Sequence, residues 1–383
     1  MSEIAGILAT ANKKISKEVL EPRADQIDRE RKYPRKNLQA LGSAGALEIL
    51  IPAEFGGAGG TLAEMSQALQ VQAQACASTA MVALMHYCGC AVIVVKGSDA
   101  MKRQLLPAAA RGEHITTLAF SEAGSGGHFY APVSKVRLDC GVKKLSARKT
   151  FVTSAGEADS YVVSTRSLHA ATPTECDLYL VPKDAKGLVA QGRFEGLGLA
   201  GNASAPMTLE DVLLEDGMRL GPEGSGFQTM MEVVLPHFQI GVASVSIGIA
   251  AAAFEKITAR VGARKYEHAG GAALASIPRV QFLVAEMAIE LNSARAYLAE
   301  TIRKTLSGDP AAMIDVLGVK AKAAEACLNV VSRAMTLGGG WAFGQRGGLE
   351  RNFRDAQAAS VMAPASDVLK DFIGKACLGL PLF

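Results

Sequence analysis

Aromatic residues are scarce in this 383-residue chain, 5% of the total with a single tryptophan, while hydrophobic residues as a whole reach 49%. A globular core short of rings but rich in alanine and aliphatic residues points to closely packed helices. Charge of one sign is also missing. With 40 basic and 37 acidic residues the net charge is +3, and there is no basic block. Nothing in the charge therefore suggests nucleic acid, and only a mildly basic cleft for a phosphate-bearing ligand stays open. No stretch approaches eighteen uninterrupted apolar residues, and the amino-terminal MSEIAGILATANKKISKEVLEP mixes charges into its apolar run. Neither a membrane span nor a signal peptide is expected. The seven cysteines (Cys76, Cys88, Cys90, Cys140, Cys176, Cys327, Cys377) are odd in number, scattered, and contain no C-x-x-C pair. They are read as reduced thiols in a cytoplasmic protein. Cys88 and Cys90 have no second cluster at ligand spacing, so no metal site is expected.

The length exceeds one typical core and predicts two or three domains. Residues 1–115 read as helices, from apolar series through Ile4, Leu8, Ile15 and Leu20 and through Leu38, Leu41 and Leu47. The glycine- and proline-rich run Leu50 to Gly60 is a connector. Thr61 then serves as an N-cap, with Glu64 at the capping-box position, for helices over Leu62–Val95 and Asp99–Arg111. Residues 116–222 alternate β-rich runs with glycine and serine turns, the pattern of an antiparallel sheet. Residues 223–383 are helical again. Val280, Leu283, Val284, Met287, Leu291, Ala294 and Leu298 fall on one face, and such long stripes with small residues favour a four-helix bundle.

The β-rich segment carries the chemistry. In Ser121-Glu122-Ala123-Gly124-Ser125-Gly126-Gly127 the side chains are small enough for a flat ligand to approach the main chain and its N–H groups. Phe151 and Thr153, two residues apart, are expected on one strand face, the first to pack on a ring and the second to hydrogen-bond it. Gly196-Leu197-Gly198-Leu199-Ala200-Gly201 satisfies G-x-G-x-x-G, but Asn202 to Pro206 cannot open the helix that a dinucleotide pyrophosphate needs, so that route is rejected.

Residues 121–128 and Lys149-Thr150-Phe151-Val152-Thr153-Ser154-Ala155-Gly156-Glu157-Ala158-Asp159 resemble the "T-E-P-G-A-G-S-D" and "K-x-[WF]-I-T-N-G-x-x-A-D" motifs of the acyl-CoA dehydrogenase family. Leu337 to Trp341 and Leu349 to Ala356 resemble its "Q-x-x-G-G-x-G" and "E-x-x-x-R-D-A" motifs, with Met335 in place of glutamine and Trp341 in place of the last glycine. Arg264 falls near the arginine of "R-x-x-F-G". The resemblance covers essentially the whole chain. It implies an α+β fold with an N-terminal helical domain (1–115), a middle antiparallel β-barrel domain (116–222) and a C-terminal four-helix bundle (223–383). It also implies FAD lined by Leu118, Ser121, Gly126, Gly127, Phe151, Val152, Thr153, Arg264, Met335, Gly338 and Gly339, and a homodimer or homotetramer.

An acyl thioester on CoA or a carrier protein is the implied substrate, with an electron-transferring flavoprotein as the implied partner. The family's α-proton base is the glutamate of "Y-E-G-T"; reading on from Arg354-Asp355-Ala356, that place holds Ala363, followed by Pro364. The alternative location on the bundle's first helix, Leu235 to Ile240, has no acid, leaving His237 and His86 as substitutes, each more often a structural histidine. Two other readings stay open: a flavin monooxygenase fed by a reductase, and a catalytically silent subunit.

Overall fold

A computed structural model describes residues 3–381. The N-terminal part is all helix: α1 (Glu3–Ile15) runs through a π-helical turn into α2 (Glu21–Arg29), followed by α3 (Arg35–Ser43), α4 (Leu62–Ala75), α5 (Ala77–Lys96) and α6 (Asp99–Ala110). Thr61 caps α4 as expected: its hydroxyl accepts from the Ala63 N–H, and Glu64 returns a bond to the Thr61 N–H at 2.9 Å. In the preceding connector Gly57 is required by contact, since a Cβ there would lie 2.0 Å from the Ile51 carbonyl oxygen.

The middle part holds β1 (Thr116–Ala119), β2 (Val136–Asp139), β3 (Val142–Val152), β4 (Ser160–Arg166), β5 (Cys176–Pro182), β6 (Leu188–Ala190) and β7 (Ala205–Leu213). The expectation of one closed antiparallel barrel is corrected on two counts. The strands form two separate sheets, in the orders β1-β4-β5 and β2-β3-β7-β6, that do not close on each other. Within the first, β1 and β4 are parallel, Thr116 opposite Ser160 and Ala119 opposite Val163. The chain between them builds the β2–β3 hairpin of the other sheet and returns in the original direction. Both parallel strands are buried along nearly their whole length, as parallel pairs usually are. The hairpin turns at Cys140 and Gly141, both at positive φ, the geometry that matches strand twist.

The C-terminal part runs α7 (Gly226–Thr229), a π-helical turn, α8 (Leu235–Ala263), a two-residue hairpin of β8 (Lys265–Tyr266) and β9 (Ala272–Ala273), then α9 (Pro278–Leu306), α10 (Ala312–Gly338), α11 (Gly340–Phe343), α12 (Leu349–Ala356), α13 (Ala358–Val361) and α14 (Ser366–Cys377). Three long helices make the bundle, and short helices stand in for the fourth: α10 packs on α8, α9, α12 and α14, while α8 also packs on α4. Helix α8 is buried nearly all round because it faces both neighbourhoods. On α9 the expected stripe is buried at Val280, Met287, Leu291, Ala294 and Leu298. Helices 77–96 and 226–263 are long and apolar enough to cross a bilayer by composition, but 89% of the most apolar window of each is packed inside the fold.

One joint fastens the three parts together. Arg354 reaches Asp28 on α2 with two bonds of 2.9 and 2.6 Å, and Asp355 accepts the Leu199 N–H at 2.6 Å. A Cβ on Gly198 would lie 2.2 Å from the Arg354 carbonyl oxygen. The glycines of the rejected G-x-G-x-x-G run are there for packing, and burial lifts Asp355 to about 6.

Candidate active site

The two β-unit motifs, some thirty residues apart in sequence, are bolted together in space. Thr150 donates its N–H to the Ser121 carbonyl at 2.8 Å. Beneath that bond, the Lys149 ammonium meets the Glu122 carboxylate at 2.6 Å, with both side chains essentially inaccessible. Lys149 also donates to the Ser164 carbonyl at 2.6 Å. Glu122 accepts from the Val133 N–H at 2.7 Å, the Ser134 N–H at 2.9 Å and the Ser134 hydroxyl at 2.5 Å. Burial acts to raise the Glu122 carboxyl, but the Lys149 charge and these hydrogen bonds outweigh it and hold the group below the ordinary carboxylate range.

On that base sits the 121–128 turn. Ser125 closes it, its hydroxyl donating to the Glu122 carbonyl at 3.0 Å. Among the described residues the Gly126 and Gly127 N–H groups take no part in backbone bonding, and Gly126 has φ of +54° with open space where a Cβ would stand. A Cβ on Gly127 would stand 3.5 Å from Val368, so the turn abuts the start of α14. Leu118, on β1, is buried behind it.

The expectation that Phe151 and Thr153 share a strand face is corrected. The β3–β7 register slips between Lys149 and Val152, and Phe151 adopts φ of +50°, which breaks the alternation. Phe151 is 74% exposed, an unusual state for a phenyl ring beside a buried Val152 and Thr153. Thr153 hydrogen-bonds the Ser204 hydroxyl at 2.9 Å, and its carbonyl accepts from Thr117 at 3.0 Å. Ser204 belongs to the loop after the 196–201 run, whose Asn202 and Ala203 carbonyls accept the Ser154 and Ala155 N–H groups.

Arg264, Met335, Gly338 and Gly339 form a second group, at the C-terminal ends of α8 and α10. The Arg264 guanidinium lies over the Tyr266 ring at 5.3 Å. Gly338 is packed so closely that a Cβ would stand 2.4 Å from that of Ala342, whereas Gly339 has φ of +55° and open space around it. Trp341 is covered by Arg260 at 5.3 Å and opens onto a cavity of about 520 Å³ with Arg29, Gly340, Gly344 and Gln345. Among the described residues no hydrogen bond or ion pair joins this group to the first within one chain.

At the position expected to hold a base, Ala363 lies half-buried in the segment between α13 and α14. The carbonyls on either side of it, of Met362 and Pro364, accept from the Lys320 ammonium at 3.1 and 2.7 Å. Lys320 is fully buried, and burial lowers it to about 7. Among the described residues, buried Ser366 has a hydroxyl with no partner, as has the amide of fully buried Gln239 at the start of α8. His237 is half-buried; its Nδ1 lies 2.6 Å from the Val233 carbonyl, which can only accept, so that nitrogen carries the hydrogen. Burial lowers its pKa, leaving a neutral ring. His86 is a core histidine: it is fully buried, burial lowers it to about 4, and its Nδ1 accepts the Thr116 N–H at 3.3 Å.

Lys320, Ser204 and the pairing of Glu122 with Lys149 were missed from sequence. The signals were there for two of them: Lys149 continues the inward positions Leu145 and Ala147 of β3, and Lys320 interrupts an apolar helical face through Val316, Ala324 and Cys327. A lysine on a core face needs acceptors, and those acceptors lie far along the chain.

Family models for the acyl-CoA dehydrogenase N-terminal, middle and C-terminal domains match residues 3–113, 117–212 and 224–378. The chain is 30% identical over 358 residues, 91% of its length and 83% of the relative's, to the mitochondrial short-chain specific acyl-CoA dehydrogenase of Bos taurus. Among solved structures it is similar to butyryl-CoA dehydrogenase from Megasphaera elsdenii, with a TM-score of 0.92, 21% identity and 99% of each chain covered. It is also similar to the prolyl acyl carrier protein oxidase AnaB, with a TM-score of 0.89, 21% identity, and 99% of this chain and 100% of that one covered.

Proposed function

The chain belongs to the acyl-CoA dehydrogenase family, and from that premise we propose that it is an FAD-dependent oxidoreductase whose flavin rests on the 121–128 turn and the Phe151 to Thr153 bulge of its own β unit. The protein oxidises an acyl thioester. One observation carries the placement. The two motifs are locked together by buried charge and a backbone bond, yet they leave two glycine N–H groups without a backbone partner among the described residues and a 74% exposed phenyl ring. A flat, acceptor-rich ring system fits those features. Bound FAD supplies a hydride acceptor. Ser121 and the Gly126 and Gly127 N–H groups offer it donors, Phe151 packs against it, and Thr153, oriented by Ser204, holds a hydroxyl at its edge.

Arg264, Met335, Gly338 and Gly339 are read as serving the flavin of a second copy, because they stand apart from the β-unit group in one chain. That makes the protein a homodimer or homotetramer. We read the domains as 1–115, 116–222 and 223–383, the carrier as CoA or a carrier protein, the electron acceptor as an electron-transferring flavoprotein, and the location as cytoplasmic.

The base half of dehydrogenation is weak here. Ala363 cannot accept a proton, and Leu235 to Ile240 offers only His237, whose tautomer leaves Nε2 as a lone pair. Loss of a positioned general base typically forfeits about two to four powers of ten in rate. This favours a second reading, a flavin monooxygenase on the same fold that uses a reductase and needs no α-proton base. The test is the FAD-loaded protein titrated with a panel of saturated acyl-CoAs, then reduced chemically and exposed to oxygen. Slow bleaching that His237→Ala removes, with slow re-oxidation, supports a weak dehydrogenase. Rapid oxygen reaction with a peroxyflavin spectrum supports the monooxygenase, and a protein that binds no flavin even after reconstitution defeats both.

A further inference from the structure

The segment Met362 to Pro364 keeps an elaborate support although its central side chain has lost any acid. Lys320 extends from α10 into the core and places its ammonium on the two carbonyl oxygens that flank Ala363, at 3.1 and 2.7 Å. It has no carboxylate partner among the described residues. The acids on and around its helix are engaged elsewhere, Asp315 by Lys304, Glu290 by Lys322, Glu325 by Lys370, Glu350 by Arg354 and Asp371 by Lys375, while Asp367 on α14 is exposed to solvent. A fully buried lysine bonded only to backbone carbonyls is costly to charge, which is why burial lowers it to about 7, and charged or neutral its nitrogen still donates to both carbonyls. The segment it holds leads directly into α14, whose Val368 lies 3.5 Å from the place a Gly127 Cβ would occupy, at the 121–128 turn.

We propose that Lys320 is a positioning residue for the substrate side of the site, fixing the backbone on both sides of residue 363 and, through Val368, the seat of the 121–128 turn. The proposal rests on the reading of that turn as the flavin platform. Its physical content is that the shape of the 362–364 segment is set from behind by α10, independently of the side chain at 363. The same cradle would present an alanine or a carboxylate at one place, so changes at 363 alter chemistry while changes at 320 alter geometry.

The experiment uses the FAD-loaded full chain as wild type, Lys320→Met and Lys320→Arg. Arginine can still donate to two carbonyls, whereas methionine can donate to neither. Amide hydrogen exchange is read in peptides covering 358–368 and 121–128, and butyryl-CoA is titrated against the visible flavin bands. Lys320→Met is expected to speed exchange in both peptides at least tenfold while β4 stays within twofold, and to weaken butyryl-CoA at least tenfold. Lys320→Arg is expected to return both to within about threefold of wild type. If methionine prevents folding, Lys320→Gln is measured in its place, with the same expectation. Uniform loosening of every peptide, or butyryl-CoA affinity unchanged without Lys320, overturns the positioning role alone. If wild type holds FAD but butyryl-CoA leaves the flavin bands undisturbed, the short acyl-CoA reading fails while the positioning role does not, and that role is then overturned only by exchange in 358–368 and 121–128 that stays at the wild-type rate in Lys320→Met.

Discussion

Replacing Lys149 by methionine tests whether the buried pair holds the flavin platform together. The methionine fills most of the lysine's volume, so the loss is electrostatic. Removing one partner of a buried ion pair typically costs about 3–5 kcal/mol, because the other charge is left uncompensated. Here Glu122 keeps three of its four hydrogen bonds, from Val133 N–H, Ser134 N–H and the Ser134 hydroxyl, so the expected cost lies near the low end, about 3 kcal/mol. The Ser164 carbonyl, which loses its 2.6 Å donor, adds to it. Removing both charges as Glu122→Met with Lys149→Met is expected to cost less than the sum of the singles, by about 2 kcal/mol, within the range measured for coupled neighbours. The sign of the pH dependence follows from the depressed Glu122 pKa. Its contribution is fully present above the unfolded value, about 4.3, and is lost as pH falls through the lower folded value. The Glu122 part of the gap between wild type and Glu122→Gln should thus close only in acid, while Lys149, pushed down by burial even beside Glu122, loses its counter-charge in the variant and adds a second dependence on the alkaline side. Urea unfolding of the apoprotein gives the stabilities, and FAD retained through gel filtration reports the platform. A Lys149→Met protein within about 1 kcal/mol of wild type, or strictly additive charges, would refute the reasoning.

Two further outcomes are expected. Phe151→Ala should leave apoprotein stability within about 0.5 kcal/mol, as for a surface site, because the ring is 74% exposed; FAD should bind about fivefold more weakly for loss of roughly 1 kcal/mol of ring packing, and equilibrium dialysis beside thermal melting separates the two. Asp355 is raised by burial to about 6 from 3.8, so its ionisation costs stability that appears as pH rises through the interval between those values. Asp355→Asn, whose side-chain oxygen can still accept the Leu199 N–H, should gain up to about 3 kcal/mol over wild type at pH 8, and the gain should shrink towards pH 5 in parallel melts.

The sequence by itself determined what is written in local pattern. Hydrophobic period placed the helices, and turn chemistry placed the capping box at Thr61 and Glu64 because both ends of it lie within one helical turn. The glycine and serine spacing of 121–128 marked a turn, and the failure of 196–201 to open a helix removed a false motif. The α9 stripe is buried at Val280, Met287, Leu291, Ala294 and Leu298, where the period put it, while its members Leu283 and Val284 are only half-buried and Phe282 and Ile289 between them remain exposed.

What only the tertiary structure decided is everything that depends on pairing between distant residues. Strand direction is one case: β1 and β4 are parallel because of the path taken by the forty residues between them, and no local signal in either strand records it. Closure is another, since open or closed sheets share the same alternation. The Phe151 and Thr153 faces separated because a register slip against β7 and a positive φ override period two. The buried lysines show the same limit most clearly. Glu122 is a fixed charge because Lys149 lies 2.6 Å away and Val133 and Ser134 donate to it from elsewhere in the chain, and Lys320 acquires its place only when the chain forty residues later brings the carbonyls beside Ala363 against α10. A charge can be recognised on an apolar face from sequence, but its partner is chosen by packing, and so is what the pair holds in place.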